Sequence, residues 1–369
     1  MELQNYLRQH GLEKLKAEYS IKSSQDKEYP ELICLKYSQI ESPMAEKVVQ
    51  QCRGIVLDSS KDWEAVSYPY DKFFNYGEGH ASEIDWQYAQ AYEKLDGSLM
   101  TIYFYDGKWR VQSSGTSDGS GWVSGFYFTF ADLFWQTWER LGYQLPKADN
   151  DSLISHTDYC FIFELMTPYN RVVVQHKSNR LVLHGVRNVE TLEESAPAFW
   201  AKKYGWECVK VYPLNSWTAI IEAAKHLDPM ESEGYIVCDS SFSRVKVKSP
   251  QYVAMHHLRE SLSPRRMAEI VVANEGEEFL SYFPEWTELH QEVKGKYENL
   301  VKEIESTYHQ NKSIESQKDF ALAIKHLPYS GVLFALRAGK VTNAKEFLAS
   351  ATIQGVERLL GIDKQQEES

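Results

Sequence analysis

The run Tyr92-Glu93-Lys94-Leu95-Asp96-Gly97-Ser98-Leu99 combines an amine, a carboxylate and a glycine within four positions. This is the layout of a Lys-x-Asp-Gly nucleophile, in which the lysine amine attacks the α-phosphate of a nucleotide. Taken alone, a solvated lysine in a loop is the commoner meaning of such a tetrapeptide. The flanking residues supply a frame. Residues 87–92 read as one strand and 99–105 as another, the second alternating apolar with polar. The second strand ends at Asp106-Gly107, a two-residue hairpin signal, and 109–112 return as its partner.

Other residues carry the same kind of double meaning. Cys52-Arg53-Gly54 opens an apolar strand, where an arginine either pairs with a carboxylate or presents its fork to a phosphate. Lys72 sits in Tyr68-Pro69-Tyr70-Asp71-Lys72-Phe73-Phe74-Asn75-Tyr76, a surface lysine over aromatics or a cation near a stacked base. Glu164 ends the apolar run Phe161-Ile162-Phe163, where a carboxylate is costly unless it is paired or hydrogen-bonded. Glu233-Gly234-Tyr235 precedes Arg244-Val245-Lys246-Val247-Lys248. In a strand, residues 244, 246 and 248 share one face, so this segment is a local basic patch. The alternative is an edge strand guarded by solvated lysines.

Residues 1–20 read as a short amphipathic helix and 32–37, ending at Tyr37, as a strand. Residues 113–121 form a polar, glycine-rich loop that is no Walker A sequence, because the Gly-Lys-Ser/Thr ending is missing. Residues 125–141 carry Phe126, Phe130, Leu133, Phe134, Trp138 and Leu141 at helical spacing, which predicts a core-facing helix. Arg171-Val172-Val173-Val174, 180–187 and 207–212 read as strands, and 191–204 and 217–226 as helices. Beyond Ser249-Pro250 strand signals give way to helical spacing over 252–272, 286–308, 316–326, 330–338 and 343–360. This sets a boundary between 1–249 and 250–369. His256-His257 read as ordinary residues, because neighbours on a helix point about 100° apart and no further ligand completes a set.

Bulk properties narrow the class. At 369 residues the chain is long enough for two domains; 43% apolar is the composition of a globular protein, and 13% aromatic suits a sheet-rich core better than an all-helical one. No apolar run reaches the ~18 residues of a membrane span, and the start lacks the basic-then-apolar pattern of a secretory signal. The five cysteines (34, 52, 160, 208 and 238) show no Cys-x-x-Cys pair. The expected setting is therefore cytoplasmic, with reduced cysteines. A net charge of −12 means that a polyanion must be bound through a local patch, not through the overall field.

In order, Arg53-Gly54, Lys72-Phe73-Phe74-Asn75, Lys94-x-Asp96-Gly97, Phe163-Glu164, Glu233-Gly234-Tyr235 and Lys246-x-Lys248 resemble the motifs of the covalent nucleotidyltransferases. More closely, the chain resembles the RNA ligase family typified by phage T4 RNA ligase 1, along its whole length. The resemblance implies an α+β fold: a nucleotidyltransferase domain of antiparallel sheets flanked by helices over 1–249, then an all-helical RNA-specificity domain over 250–369. It implies an ATP-dependent RNA ligase that joins 5′-phosphate and 3′-hydroxyl ends through a lysyl-AMP at Lys94 and an adenylylated RNA. The cofactors are ATP and Mg²⁺, with Mn²⁺ as the alternative ion, and the partner is RNA, with cleaved tRNA as the expected class. A monomer without membrane attachment is expected.

By the same resemblance, Lys94, Asp96, Glu164, Glu233, Lys246 and Lys248 form the catalytic set. Tyr37, Arg53, Lys72, Phe74, Lys94, Gly97, Glu164, Lys246 and Lys248 contact the nucleotide. Tyr252 is a further candidate beyond the patch. A lysine amine is protonated at neutral pH, and the cations Arg53, Lys72, Lys246 and Lys248 favour loss of that proton in a dry pocket. The metal ligands are not named by the sequence; Glu277 and Glu278 are candidates for a second ion. Arg259, Arg265 and Arg266 are candidate RNA contacts. The chain departs from the family at Ser113-Ser114-Gly115, where Ser114 stands in place of a basic residue. Alternative readings are a DNA ligase, a GTP-using capping-type enzyme, or a catalytically silent RNA-binding module.

Overall fold

The structure is a computed structural model, and it describes residues 1–147, 155–257 and 263–362. The chain forms two compact units, Met1–Ser38 with Ser42–Met255, and Gln39–Glu41 with His256–Ser369.

Three sheets build the first unit. Ile21–Gln25, Leu32–Tyr37, Arg53–Asp58 and Glu64–Ser67 make an antiparallel sheet in chain order. The amino-terminal helices Glu2–His10 and Leu12–Tyr19 bury Leu3, Leu7 and Leu15 in this sheet's core. Two helices replace the single one expected, because Gly11 at φ 78° breaks the run.

The second sheet contains Lys108–Ser113, Ser98–Tyr105, Tyr159–Met166, Arg180–Asn188 and Glu194–Ser195, with Glu207–Cys208 parallel to Arg180–Asn188. One of its faces packs Met100, Phe161 and Phe163 against Phe134 and Trp138 of the helix Phe130–Leu141. That helix is shorter than 125–141. Thr129 caps it, its hydroxyl accepting from Asp132 N at 3.1 Å, so the chain from Gly125 to Phe128 lies outside it.

The third sheet runs Val211–Tyr212, Gln90–Lys94, Gly234–Cys238, Arg244–Lys248 and Phe74–Asn75, the last pair parallel. The expected strand over 207–212 is two strands that belong to different sheets. The expected strand at Arg171–Val174 is instead a loop, for a reason that emerges at the site. The hairpin at Asp106-Gly107 forms as its residue types require, with both residues at positive φ.

The second unit is helical. Among its described residues the longest helix, Thr287–Asn311, buries Val293, Tyr297, Leu300, Val301 and Ile304. These pack with Met267 and Ile270 of Pro264–Val272, Phe320 and Ile324 of Gln317–Ile324, and Leu333 of Ser330–Arg337. The expected helix over 343–360 is two, Ala344–Ser350 and Ile353–Leu360, the second capped by the Thr352 hydroxyl accepting from Gly355 N. No strand follows Lys248 among the described residues. Arg259 lies outside them.

Candidate active site

The third sheet sets the positions of the reactive side chains. Lys94 is the last residue of its strand, and Gly234 pairs with both Lys94 and Lys248. Glu233, one residue before that crossing point, therefore reaches both lysines: its Oε2 lies 2.5 Å from Lys94 Nζ and its Oε1 3.6 Å from Lys248 Nζ. All three side chains are largely buried. An ion pair held this close in a shielded site is strong only because each charge meets its opposite.

Lys246 lies two residues from Lys248 on the same strand face. Its amine sits 5.2 Å from the centroid of the Phe73 ring, and the Arg53 guanidinium sits 4.8 Å from that same ring. Lys72 lies 5.5 Å from the rings of both Tyr37 and Phe74. The backbone fixes these cations in place: Lys72 N donates to Gln50 O at 2.8 Å, and Tyr76 N to Lys246 O at 2.8 Å. Neither Lys72 nor Lys246 has an ion-pair partner among the described residues. Burial, then Lys72, Arg53, Lys248 and Lys94, push the Lys246 amine well below the ordinary lysine value. Such crowding is tolerable in a folded protein when an anion is the intended occupant.

Between these walls lies a cavity of about 280 Å³, lined by Arg53, Phe73, Lys94, Gly97, Glu164 and Lys246, and further by Tyr70, Tyr92, His184 and Arg244. The volume suits a small ligand with an aromatic part and a charged part. Glu164 pairs with Leu99 in the second sheet and faces His184, whose Nε2 lies 3.4 Å from its Oε2. The Tyr70 hydroxyl donates to the His184 carbonyl at 3.0 Å and lies 3.1 Å from His184 Nδ1. Behind them Arg244 and Arg187 both bind Glu194, Arg244 Nη1 at 2.9 Å and Arg187 Nη2 at 2.7 Å. Arg244 also lies over the Tyr70 ring, 4.4 Å from its centroid.

Not every expected residue lines this cavity. Tyr37, Lys72, Phe74, Glu233 and Lys248 are not among the lining residues. Asp96 is 5% exposed and its carboxylate is saturated: Oδ2 accepts from Val173 N at 3.0 Å and Val174 N at 2.6 Å, and Oδ1 from the Tyr252 hydroxyl at 3.1 Å. Those two N–H groups explain why Arg171–Val174 is a loop, since its donors point at Asp96 and not along a ladder. Tyr252 is therefore a positioning residue for the turn. Gly97 completes it. A Cβ there would lie 2.5 Å from Leu165 O and 2.9 Å from Met166 Cγ, which no other residue type tolerates.

The sequence reading missed Tyr70, His184 and the pairing of Arg187 and Glu194 with Arg244, which it placed only in the basic patch. One signal was present. Gly185, next to His184, breaks the register of its strand, and a Cβ at that position would overlap the Tyr70 hydroxyl. Ser114 lies against Gly54, where an added Cβ would sit 2.9 Å from Ser114 Cα, and Gln112 Nε2 donates to Gly54 O at 2.5 Å. No group of three or more His, Cys, Asp or Glu side chains that could hold a metal occurs among the described residues. Glu277 and Glu278 lie in the first turn of the helix Gly276–Tyr282 and belong to no such group. All five cysteines are free thiols. No described helix is long and apolar enough to cross a membrane.

Comparison with known proteins adds an independent line. A family model described as RNA ligase matches residues 51–252, more than half of the chain. An RNA ligase of Rhodothermus phage RM378 is 26% identical over 320 residues, covering 70% of this chain and 71% of that protein. Among solved structures, an archaeal ATP-dependent RNA ligase aligns over 90% of both chains at 13% identity with a TM-score of 0.48. A lysine mutant of Naegleria gruberi RNA ligase, solved with ATP and Mn, aligns over 47% of this chain at 14% identity with a TM-score of 0.32. The chain spans about half the length of that protein, 52%.

Proposed function

The chain belongs to the RNA ligase family, and on that premise we propose that it is an ATP-dependent RNA ligase whose nucleophile is Lys94. The observation that carries this reading is the meeting of Lys94, Arg53 and Lys246 at one cavity, with burial and the nearby Lys72, Arg53, Lys248 and Lys94 lowering the pKa of Lys246. A cluster of that sign needs a polyphosphate to relieve it.

In the first step the Lys94 amine gives its proton to Glu233 Oε2, 2.5 Å away, and attacks the α-phosphorus of ATP. The new bond is N–P, the broken one is P–O to the β-phosphate, and pyrophosphate carries off the electron pair. Arg53 and Lys246 offset the charge that builds on the leaving group, with Lys72 and Lys248 behind them. Glu164 and His184 face the nucleoside end of the cavity, where a carboxylate can accept from a ribose hydroxyl. AMP then passes from Lys94 to a 5′-phosphate RNA end, and a 3′-hydroxyl displaces it to close the strand. A divalent ion, Mg²⁺ or Mn²⁺, would enter with the phosphates and draw charge from them; Glu93 and Glu164 are the carboxylates that line the cavity and could hold it. Asp96, Gly97 and Tyr252 hold the turn.

The helical unit is assigned the choice of RNA, with cleaved tRNA as the expected class and Arg265 and Arg266 as contacts. Its separate core supports this division of labour. Helices after Lys248, where DNA ligases and capping enzymes place a barrel, count against those alternatives.

Incubation with α-³²P-ATP and Mg²⁺ is expected to leave a covalent label that Lys94→Ala abolishes. Chasing with 5′-phosphorylated RNA should release it as adenylylated RNA and then as sealed product. Equal labelling of wild type and Lys94→Ala would overturn the assignment.

A further inference from the structure

Few described aromatic side chains of the first unit are exposed; Tyr76, Tyr88 and Phe199 are scattered, but others fall in two neighbouring loops. Tyr127 is fully exposed, Trp122 67%, Tyr169 43% and Phe126 40%. Two of these rings touch each other and a third that is half-buried against the core: Phe126 stacks on Phe128 with centroids 5.2 Å apart, and Tyr169 stands edge-on to both, at 5.1 and 5.7 Å. They are not the tip of a loose loop. Trp122 bridges Thr129, Val123 N donates to Phe128 O at 3.1 Å, Phe126 N donates to Val123 O at 3.0 Å, and Val123 itself is buried in the core under the second sheet. The rings are thus held out in water by a hydrogen-bonded frame anchored below.

This group adjoins the reactive turn. Tyr169 precedes Asn170, whose Nδ2 donates to Ser98 Oγ at 2.8 Å and to Leu165 O at 2.7 Å. Ser98 follows Gly97, and Leu165 follows Glu164, both of which line the cavity. The loop that carries Tyr169 continues through exposed Arg171 to the two N–H groups that fix Asp96, and then to exposed Lys177. Rings held in place near exposed Arg171, on a loop that Asn170 ties to the neighbours of two cavity-lining residues, fit one ligand chemistry best. Unpaired bases offer π-faces to the rings, and their phosphates meet the cations.

Resting on the RNA ligase reading, we propose that Trp122, Phe126, Tyr127, Phe128 and Tyr169 form a stacking platform for unpaired bases of the RNA strand whose end is joined at Lys94. The platform is indifferent to base identity, because every base offers a π-face. An apolar protein partner would use the same rings but would have no need of Arg171 and Lys177.

The test uses the full-length protein and a 5′-phosphorylated oligouridylate. In the variants Tyr127→Ala and Trp122→Ala, Kd for the oligonucleotide and KM in sealing are expected to rise roughly tenfold each, the usual worth of one lost stack. Self-labelling with α-³²P-ATP stays at the wild-type rate, and Tyr127→Phe restores both constants. Unchanged Kd and KM in both alanine variants would overturn the platform, leaving the rings to a protein contact. Failure of the wild type to seal any RNA would instead strike the ligase reading, and the binding comparison would still decide the platform.

Discussion

Lys246 shows how a single side chain reports on its ligand. Burial and four neighbouring cations depress its pKa, so the folded, nucleotide-free protein binds this proton less well than the unfolded chain does. Between the depressed value and the ~10.4 of a free lysine, the unfolded state holds the extra proton, and stability rises with pH through that window. The gain is at most about 1.4 kcal/mol per pH unit for one proton. At lower pH both states are protonated and the penalty is at its full size. Lys246→Met should flatten this slope in denaturation curves measured across the alkaline range. Bound phosphates reverse the crowding, so nucleotide binding should take up protons, as calorimetry in buffers of different ionisation enthalpy would register. The uptake should shrink in Lys246→Met.

Elements account for what could and could not be read from the sequence. The Lys94 turn, the Asp106-Gly107 hairpin and the Arg244–Lys248 strand were legible because spacing within a strand alone fixes which side chains share a face. That Lys94 and Lys248 would both flank Gly234 was not, since register between strands distant in sequence leaves no local trace. The reading failed at 125–129 and 171–174 for a related reason. Phe126 fits a helical period, but the Thr129 cap starts the helix after it. Val172, Val173 and Val174 have strand propensity, but Asp96 claims the backbone N–H groups of the last two. Two substitutions test this clamp. Tyr252→Phe removes a hydrogen bond to a buried carboxylate and should cost about 1.5–3 kcal/mol in urea unfolding. Gly97→Ala drives a methyl group into Leu165 O, and labelling at Lys94 should be lost even where the protein stays folded.

At the scale of the molecule, the two units have separate cores, and the break between them falls at Met255 and His256, inside the helix Pro250–His257. Where the chain is cut therefore matters. Truncation after Ser249 discards Tyr252 and Val253, both buried in the first unit, and should abolish self-labelling by loosening the turn. Truncation after Met255 keeps them and should retain labelling while losing any preference for nicked tRNA over linear RNA. Retained preference in that shorter protein would remove the specificity role assigned to the helices.

The hydrogen bond from Tyr252 to Asp96 joins residues 156 positions apart. During synthesis at ~5–20 residues per second, Asp96 leaves the ribosome roughly 8–30 s before its partner exists. Over that interval the nascent chain holds a lysine and a turn sequence but lacks the tie that shapes them. The turn that carries the reactive lysine is tied down only once residue 252 has been made, so a shorter ribosome-bound fragment lacks the contact that shapes its nucleophile.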